Sequence, residues 1–307
     1  MKVQLALVAL LLSACGGTTA SPAPPSTTEA HDITLLETTA VASQTAGPRP
    51  GSHAAAPALI VTPEAADQMD ALLARQDGRA AVVVAGGRSG EILYAVDPDE
   101  PVFAASLYKL GVLLEAERRI DAGTLQPSDL LTVTAADQSE SGSFTAAGSV
   151  LTVDEALERT IVLSDNAAAL ALIRRFGVST IQATLDRERI YLRFTADGAI
   201  TTARGIATFF GELARGSLVS RDASARMLAR LSRQRTVDRL PAALPAGAVI
   251  AHKTGNLGFA THDAGIVSGP GGAPIVLVVL TWDSAEQDAI DLIREIALLA
   301  YEGLTRT

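Results

Sequence analysis

The chain has 307 residues, 48% of them hydrophobic but only 4% aromatic, and a net charge of −9. It is long enough to bury a core built on Ala, Val, Leu and Ile, and no Lys/Arg run marks it as a nucleic-acid binder. A single cysteine, Cys15, excludes an intramolecular disulfide, and the four histidines show no ligand spacing, so a metal site is not expected.

Residues 1–14 read as a signal peptide. Lys2 supplies the positive start and 3–12 is an apolar run, short of the roughly 20 residues a membrane-spanning helix needs. The run ends in Leu12-Ser13-Ala14-Cys15, which resembles a bacterial lipobox and implies cleavage before Cys15 and lipidation of its thiol. Residues 16–57, rich in Ser, Thr, Ala, Pro and Gly, read as a disordered tether after that anchor. Residues 58–307 are the expected globular domain.

Within that domain Thr62 can N-cap a helix with Pro63 in its first position, and Gly78 ends it. Residues 80–85 and 92–96 read as strands joined by the turn Gly86-Gly87-Arg88-Ser89-Gly90. Thr152 and Glu155 form a capping box ahead of an apolar run. Helices are expected over 166–176, closed by Gly177, then over 181–190, 203–215 and 220–232. Strands return at 249–253, 264–267 and 275–281, and a last helix spans 285–301. The order predicts an α+β fold: a five-stranded antiparallel sheet made from both ends of the domain and flanked by terminal helices, an all-helical lobe from the middle, and a crevice between them.

Three short elements carry chemistry. In Ser106-Leu107-Tyr108-Lys109 the hydroxyl and the amine are three residues apart at a helix start, hence on one face. The helix dipole there favours a developing alkoxide, and an amine among apolar neighbours has a lowered pKa and can act as a base. The plainer reading is an N-capping Ser and a snorkelling Lys. Ser164-Asp165-Asn166 offers a proton-relaying hydroxyl and a carbonyl-holding amide, although all three residue types also cap helices. Lys253-Thr254-Gly255, at a strand end, offers charge and a hydroxyl for a carboxylate, with a glycine that lets a substrate backbone approach.

The order Ser-x-x-Lys, Ser-Asp-Asn, Lys-Thr-Gly resembles that of class A β-lactamases and penicillin-binding proteins. The resemblance extends from about residue 63 to 302, with further similar stretches at 119–123, 201–204 and 244–247. It implies a β-lactamase/D,D-peptidase-like fold and a serine hydrolase that cleaves an amide through an acyl-Ser106 intermediate, with no metal or organic cofactor. Ser106 is then the nucleophile, Lys109 helps remove its proton, and Ser164 passes a proton to the departing nitrogen. Asn166 orients substrate and Lys109, Lys253 and Thr254 bind a carboxylate, and the backbone N–H groups of Ser106 and Asn256, just beyond Gly255, form the oxyanion hole. The expected partners are a small β-lactam or cell-wall peptide and, through the lipid, a membrane; nucleic acid is not expected, and a monomer is.

The sequence departs from that family in two places. The Glu-x-x-Leu-Asn signature of the loop that activates the deacylating water is absent, and 191–201 is too short to form the loop. Asp186 and Glu188 read as exposed helix residues and Asp197-Gly198 as a turn, with Asp197 a candidate substitute base. His262 is a candidate for part of the carboxylate-binding role, against a simple turn hydrogen bond. A long-lived acyl-enzyme is therefore expected. A D,D-carboxypeptidase with little β-lactam turnover and a non-turnover cell-wall-binding lipoprotein remain as alternatives.

Overall fold

A computed structural model describes residues 59–306 except 140, 270 and 271. The signal segment, Cys15 and the whole of the tether lie outside the described residues. In chain order the domain begins with β1 (Leu59–Val61), α1 (Pro63–Leu73), β2 (Arg79–Gly86), β3 (Ile92–Val96) and β4 (Val102–Phe103). A 3₁₀ turn, Ala105–Tyr108, leads into α2 (Lys109–Asp121). There follow β5 (Leu130–Thr132), β6 (Val150–Thr152), α3 (Val153–Val162), α4 (Asn166–Phe176) and α5 (Val178–Arg187). The hairpin β7 (Leu192–Thr195) and β8 (Gly198–Thr201) precedes α6 (Ala203–Arg215), α7 (Arg221–Leu231) and the short α8 (Leu240–Ala243). The domain closes with β9 (Ile250–Asn256), β10 (Ala260–Ser268), β11 (Pro274–Trp282), α9 (Glu286–Glu302) and β12 (Leu304–Arg306).

The expected architecture is present. The central sheet has the order β3-β2-β11-β10-β9 and every pair is antiparallel. Its two faces are buried by different elements, which is why β2 and β11 are almost continuously apolar rather than alternating. Val82, Val84, Leu277 and Val279 meet Met69 of α1 and Leu292, Ile293 and Ile296 of α9. Val83, Val276, Val278 and Leu280 belong to the larger core under the helical lobe, with Phe209 and Phe210 of α6.

Local signals hold where they are strong. Thr62 accepts from Ala65 N–H at 3.3 Å with Pro63 first in the helix, and Thr152 and Glu155 close their capping box. Four expectations need correction. Ser106 lies in a 3₁₀ turn that precedes the α-helix instead of opening it. The helix expected to reach residue 190 stops at Arg187, because Arg189 takes a left-handed φ of 57°. The strands ending at 253 and starting at 264 run on to Asn256 and back to Ala260. The segment 192–201, read as little more than a turn, is a hairpin whose β8 pairs with β4, so that Ile200 faces Phe103.

Candidate active site

Ser106 is held on a backbone that resists relaxation. The preceding Ala105 has φ 44°, a region costly for a residue with a Cβ, and its neighbour Ala104 donates to Ala199 O of β8 at 2.7 Å. Gly255 accounts for the other side of this turn. A Cβ added there would lie 3.2 Å from Ala105 Cβ and 3.3 Å from Ala104 O, so the glycine lets β9 close on the Ser106 turn. The close approach is therefore between two parts of the protein, in addition to the approach by substrate inferred from sequence.

Lys109, the first residue of α2, is fully buried. Its Nζ lies 2.6 Å from Ser164 O, 2.6 Å from Asn166 Oδ1, 3.1 Å from Ser106 Oγ and 3.1 Å from Ser164 Oγ. An ammonium has three hydrogens for these four oxygens. A neutral amine likewise meets three of them, with two hydrogens for the carbonyl oxygens at 2.6 Å and a lone pair that can accept from a hydroxyl. Burial pushes the Lys109 amine well below its ordinary range, the Lys253 charge adds to this, and Asp165 opposes it.

Ser164 and Asn166 can turn to this cluster because Asp165, between them, does the capping. The buried Asp165 carboxylate accepts from Ala167 N–H at 2.9 Å, Phe144 N–H at 3.1 Å and the Thr145 hydroxyl at 2.5 Å. Ser164 is thereby held at φ 58°, another conformation costly for a non-glycine. Asn166 is fixed at both ends of its amide, Oδ1 on Lys109 and Nδ2 donating to Ser141 O at 2.9 Å.

On β9, Lys253 projects from the face toward the helical lobe. It is fully buried, and its Nζ lies 3.1 Å from Ser164 Oγ and 2.8 Å from Thr254 O. Burial pushes its ammonium down to about 7, against the pull of Asp263 and helped by Arg239. The Ser164 hydroxyl thus stands between two amines. Strand alternation places the Thr254 and Asn256 side chains on the opposite face, where Asn256 donates to Glu286.

Direct contacts therefore join Ser106, Lys109, Ser164, Asn166 and Lys253, and packing adds Gly255; Thr254 and Asn256 flank the group along the same strand. His262 has no part in binding a carboxylate. It is buried in β10, its Nε2–H donates to Phe103 O at 2.8 Å, and its Nδ1 accepts from Thr281 N–H at 3.1 Å. Burial pushes it down to about 4, so it is a neutral tie between β10 and the strand ahead of Ser106. Asp186 pairs with Arg193, Glu188 follows the last turn of α5, and Asp197 is exposed at the hairpin tip.

Sequence reasoning missed Arg239. Its guanidinium is buried and donates to Gly255 O at 2.8 Å and His262 O at 2.9 Å, tying the end of β9 to β10. Nothing near it in sequence distinguished it from the chain's other arginines. The capping role of Asp165 was visible only as one of three equivalent candidates. Among the described residues no group of three or more His, Cys, Asp or Glu side chains could hold a metal.

Similarity to known proteins agrees with this arrangement. A β-lactamase of Streptomyces fradiae is 33% identical over 174 residues, covering 50% of this chain and 56% of that one. The extended-spectrum β-lactamase PER-1 of Pseudomonas aeruginosa is 41% identical over 73 residues, 21% of this chain and 24% of the relative. The chain thus matches at most about half the length of these relatives. Solved structures align further: PBP-A with a TM-score of 0.72 at 26% identity, over 78% of this chain and 95% of the other. An ancestral class A β-lactamase gives 0.71 at 27% identity, over 78% and 99%. Residues 64–304 match the model of the β-lactamase enzyme family, and the chain belongs to that family.

Proposed function

We propose that the protein is a class A β-lactamase-like serine hydrolase that opens an amide, in a β-lactam or a D-alanyl peptide, through an ester on Ser106. The observation that carries this reading is the contact of the Lys109 amine with both Ser106 Oγ and Ser164 Oγ, the latter also touching Lys253. The Ser106 hydroxyl loses its proton to Lys109 as its oxygen bonds to the amide carbon. The oxyanion is received by the backbone N–H groups of Ser106 and Asn256. As the C–N bond breaks, the nitrogen takes a proton from Ser164, which is replenished from the adjoining amines. Lys253 and Thr254 hold the substrate's carboxylate, and Asn166 its amide carbonyl. The solved acyl-enzyme complex of the PBP-A L158E mutant with penicillin G, 26% identical to this chain, supports penicillin as a probe.

Release of the ester is proposed to be slow, because no carboxylate contacts Ser106 or Lys109 among the described residues and the hairpin carrying Asp197 turns it outward. The same observation favours the second reading, a penicillin-binding D,D-carboxypeptidase with little β-lactam turnover. We also propose a lipid-anchored, extracytoplasmic location, on the strength of Cys15 and the run before it; equal detergent partitioning of the parent and Cys15→Ser would refute it. Stopped-flow measurement with nitrocefin tests the hydrolase reading: a burst of about one product per enzyme, then slow turnover, supports it. Absence of any adduct with penicillin G by intact mass spectrometry would overturn it.

A further inference from the structure

Two cations are buried at the Lys253 end of β9, Lys253 itself and Arg239, at 0% and 2% exposure. A buried charge is costly unless an opposite charge shares its surroundings. Neither cation has such a partner in direct contact. Lys253 meets Ser164 Oγ and Thr254 O. Arg239 meets two backbone carbonyls, and the carboxylates nearest it, Asp238 at 3.5 Å and Glu286 at 3.9 Å, are about half exposed and screened by water. Lys109, acting on Lys253 from α2, is an amine and adds no negative charge, and Asp165 acts on Lys109.

Asp263 is different. It is 0% exposed in β10, directly opposite Thr254 and one residue before Ala264, which lies opposite Lys253. One carboxylate oxygen accepts from Leu240 N–H of α8 at 3.1 Å, and the other lies 2.8 Å from His252 Nδ1. Its side chain shares the Thr254 face by alternation and so stands across the sheet from the Lys253 amine. We infer that Asp263 is a positioning residue for the proposed reaction, its carboxylate supplying through the sheet the buried counter-charge that lets Lys253 hold a substrate carboxylate. The inference rests on the proposed docking of that carboxylate at Lys253. The charges agree in sign: burial pushes the Lys253 ammonium down to about 7, Asp263 draws it up, and Arg239 presses it further down. A role confined to tying Leu240 to His252 would be indifferent to the protonation of Lys253.

Asp263→Asn keeps an acceptor for Leu240 N–H and removes the charge. Acylation of Ser106 by penicillin G, an anionic substrate, is followed against pH as a second-order rate by intact mass spectrometry, with circular dichroism at each pH to verify the fold. The midpoint of the alkaline fall in rate should move down by about one pH unit in the variant, a loss of about tenfold well above the parent's midpoint. A downward move of less than about 0.3 unit, or an upward one, overturns the inference alone. If Asp263→Asn does not fold, the parent decides by ¹³C NMR, with His252 Cε1 followed alongside to separate its own titration. The Asp263 Cγ resonance should keep a carboxylate shift through the alkaline fall and move at its midpoint, as a counter-charge senses the loss of its partner's proton. A protonated Asp263, or a Cγ silent at that midpoint, overturns the inference. A parent with no alkaline fall overturns the docking at Lys253, and a parent that is not acylated overturns the proposed function; the inference fails with either.

Discussion

The cluster around Lys109 and the hairpin of β7 and β8 are neighbours, joined where Ala104 N–H meets Ala199 O, but they use their polar groups in opposite ways. In the cluster, side chains from a 3₁₀ turn, a helix junction and a strand converge on one another, with backbone positions strained to bring them there. In the hairpin they serve the hairpin's own attachment. Arg193 pairs with Asp186, Phe194 N–H donates to Gln182 Oε1 at 3.1 Å, and the Thr201 hydroxyl donates to Tyr191 O at 2.7 Å. Toward Tyr108 the hairpin presents the ring of Phe194, edge-on with centroids 6.2 Å apart. On the proposed function, forming an ester and hydrolysing it are separate structural problems: the first has its convergent groups, and the hairpin offers the second only Asp197, exposed at its tip.

The sharpest way to break this contrast is Ser106→Ala, which should abolish any adduct with penicillin; an adduct on the variant would place the chemistry elsewhere. Lys109→Met keeps the bulk and removes the base, so acylation should slow by about 10²- to 10⁴-fold, measured as the second-order rate of adduct formation. Asp165→Ala leaves two N–H groups and a hydroxyl without their acceptor, and should cost about 3–5 kcal/mol of stability while slowing acylation through Ser164. An unchanged urea midpoint would show that something else holds the junction.

The pH dependence of acylation sharpens the comparison further. Lys253 is a carboxylate anchor only while charged, so the rate with an anionic substrate should fall as pH rises through about 7. Lys109 is a base only while neutral, so the rate should also fall on the acid side, at a pH below the ordinary lysine range. A rate still climbing at about pH 9 would contradict both assignments. The smallest effect belongs to the hairpin: Asp197→Asn should change acylation and release by less than about twofold. Loss of turnover in that variant would give the hairpin a base of its own.

What could be read from the sequence depended on how far apart the deciding residues stand. The Thr62-Pro63 start, the Thr152–Glu155 box and the 166–176 helix each declare themselves within a few residues, and the structure contains all three. Strands β1, β4, β5, β6 and β12 have two or three residues each, too few to show a period. At the site, residue types and order were legible, but the division of labour within Ser164-Asp165-Asn166 was not, because all three cap helices equally well. Arg239, Glu286 and the neutral tie at His262 depend on contacts between elements distant in sequence, which local patterning cannot carry.

The central sheet has a consequence for how the molecule comes into being. Val83 of β2 lies opposite Val278 of β11, nearly two hundred residues later in the chain. During synthesis the Arg79–Gly86 strand exists long before its partner, with only the short β3 beside it, and it must wait with Val82, Val83 and Val84 uncovered. Such long-range pairing makes folding slow and leaves an adhesive strand edge exposed in the meantime. A chain stopped between residues 256 and 274 would carry every residue of the Lys109 cluster and yet lack the strand that joins β2 to β10, so the side chains would be present without the frame that brings them together.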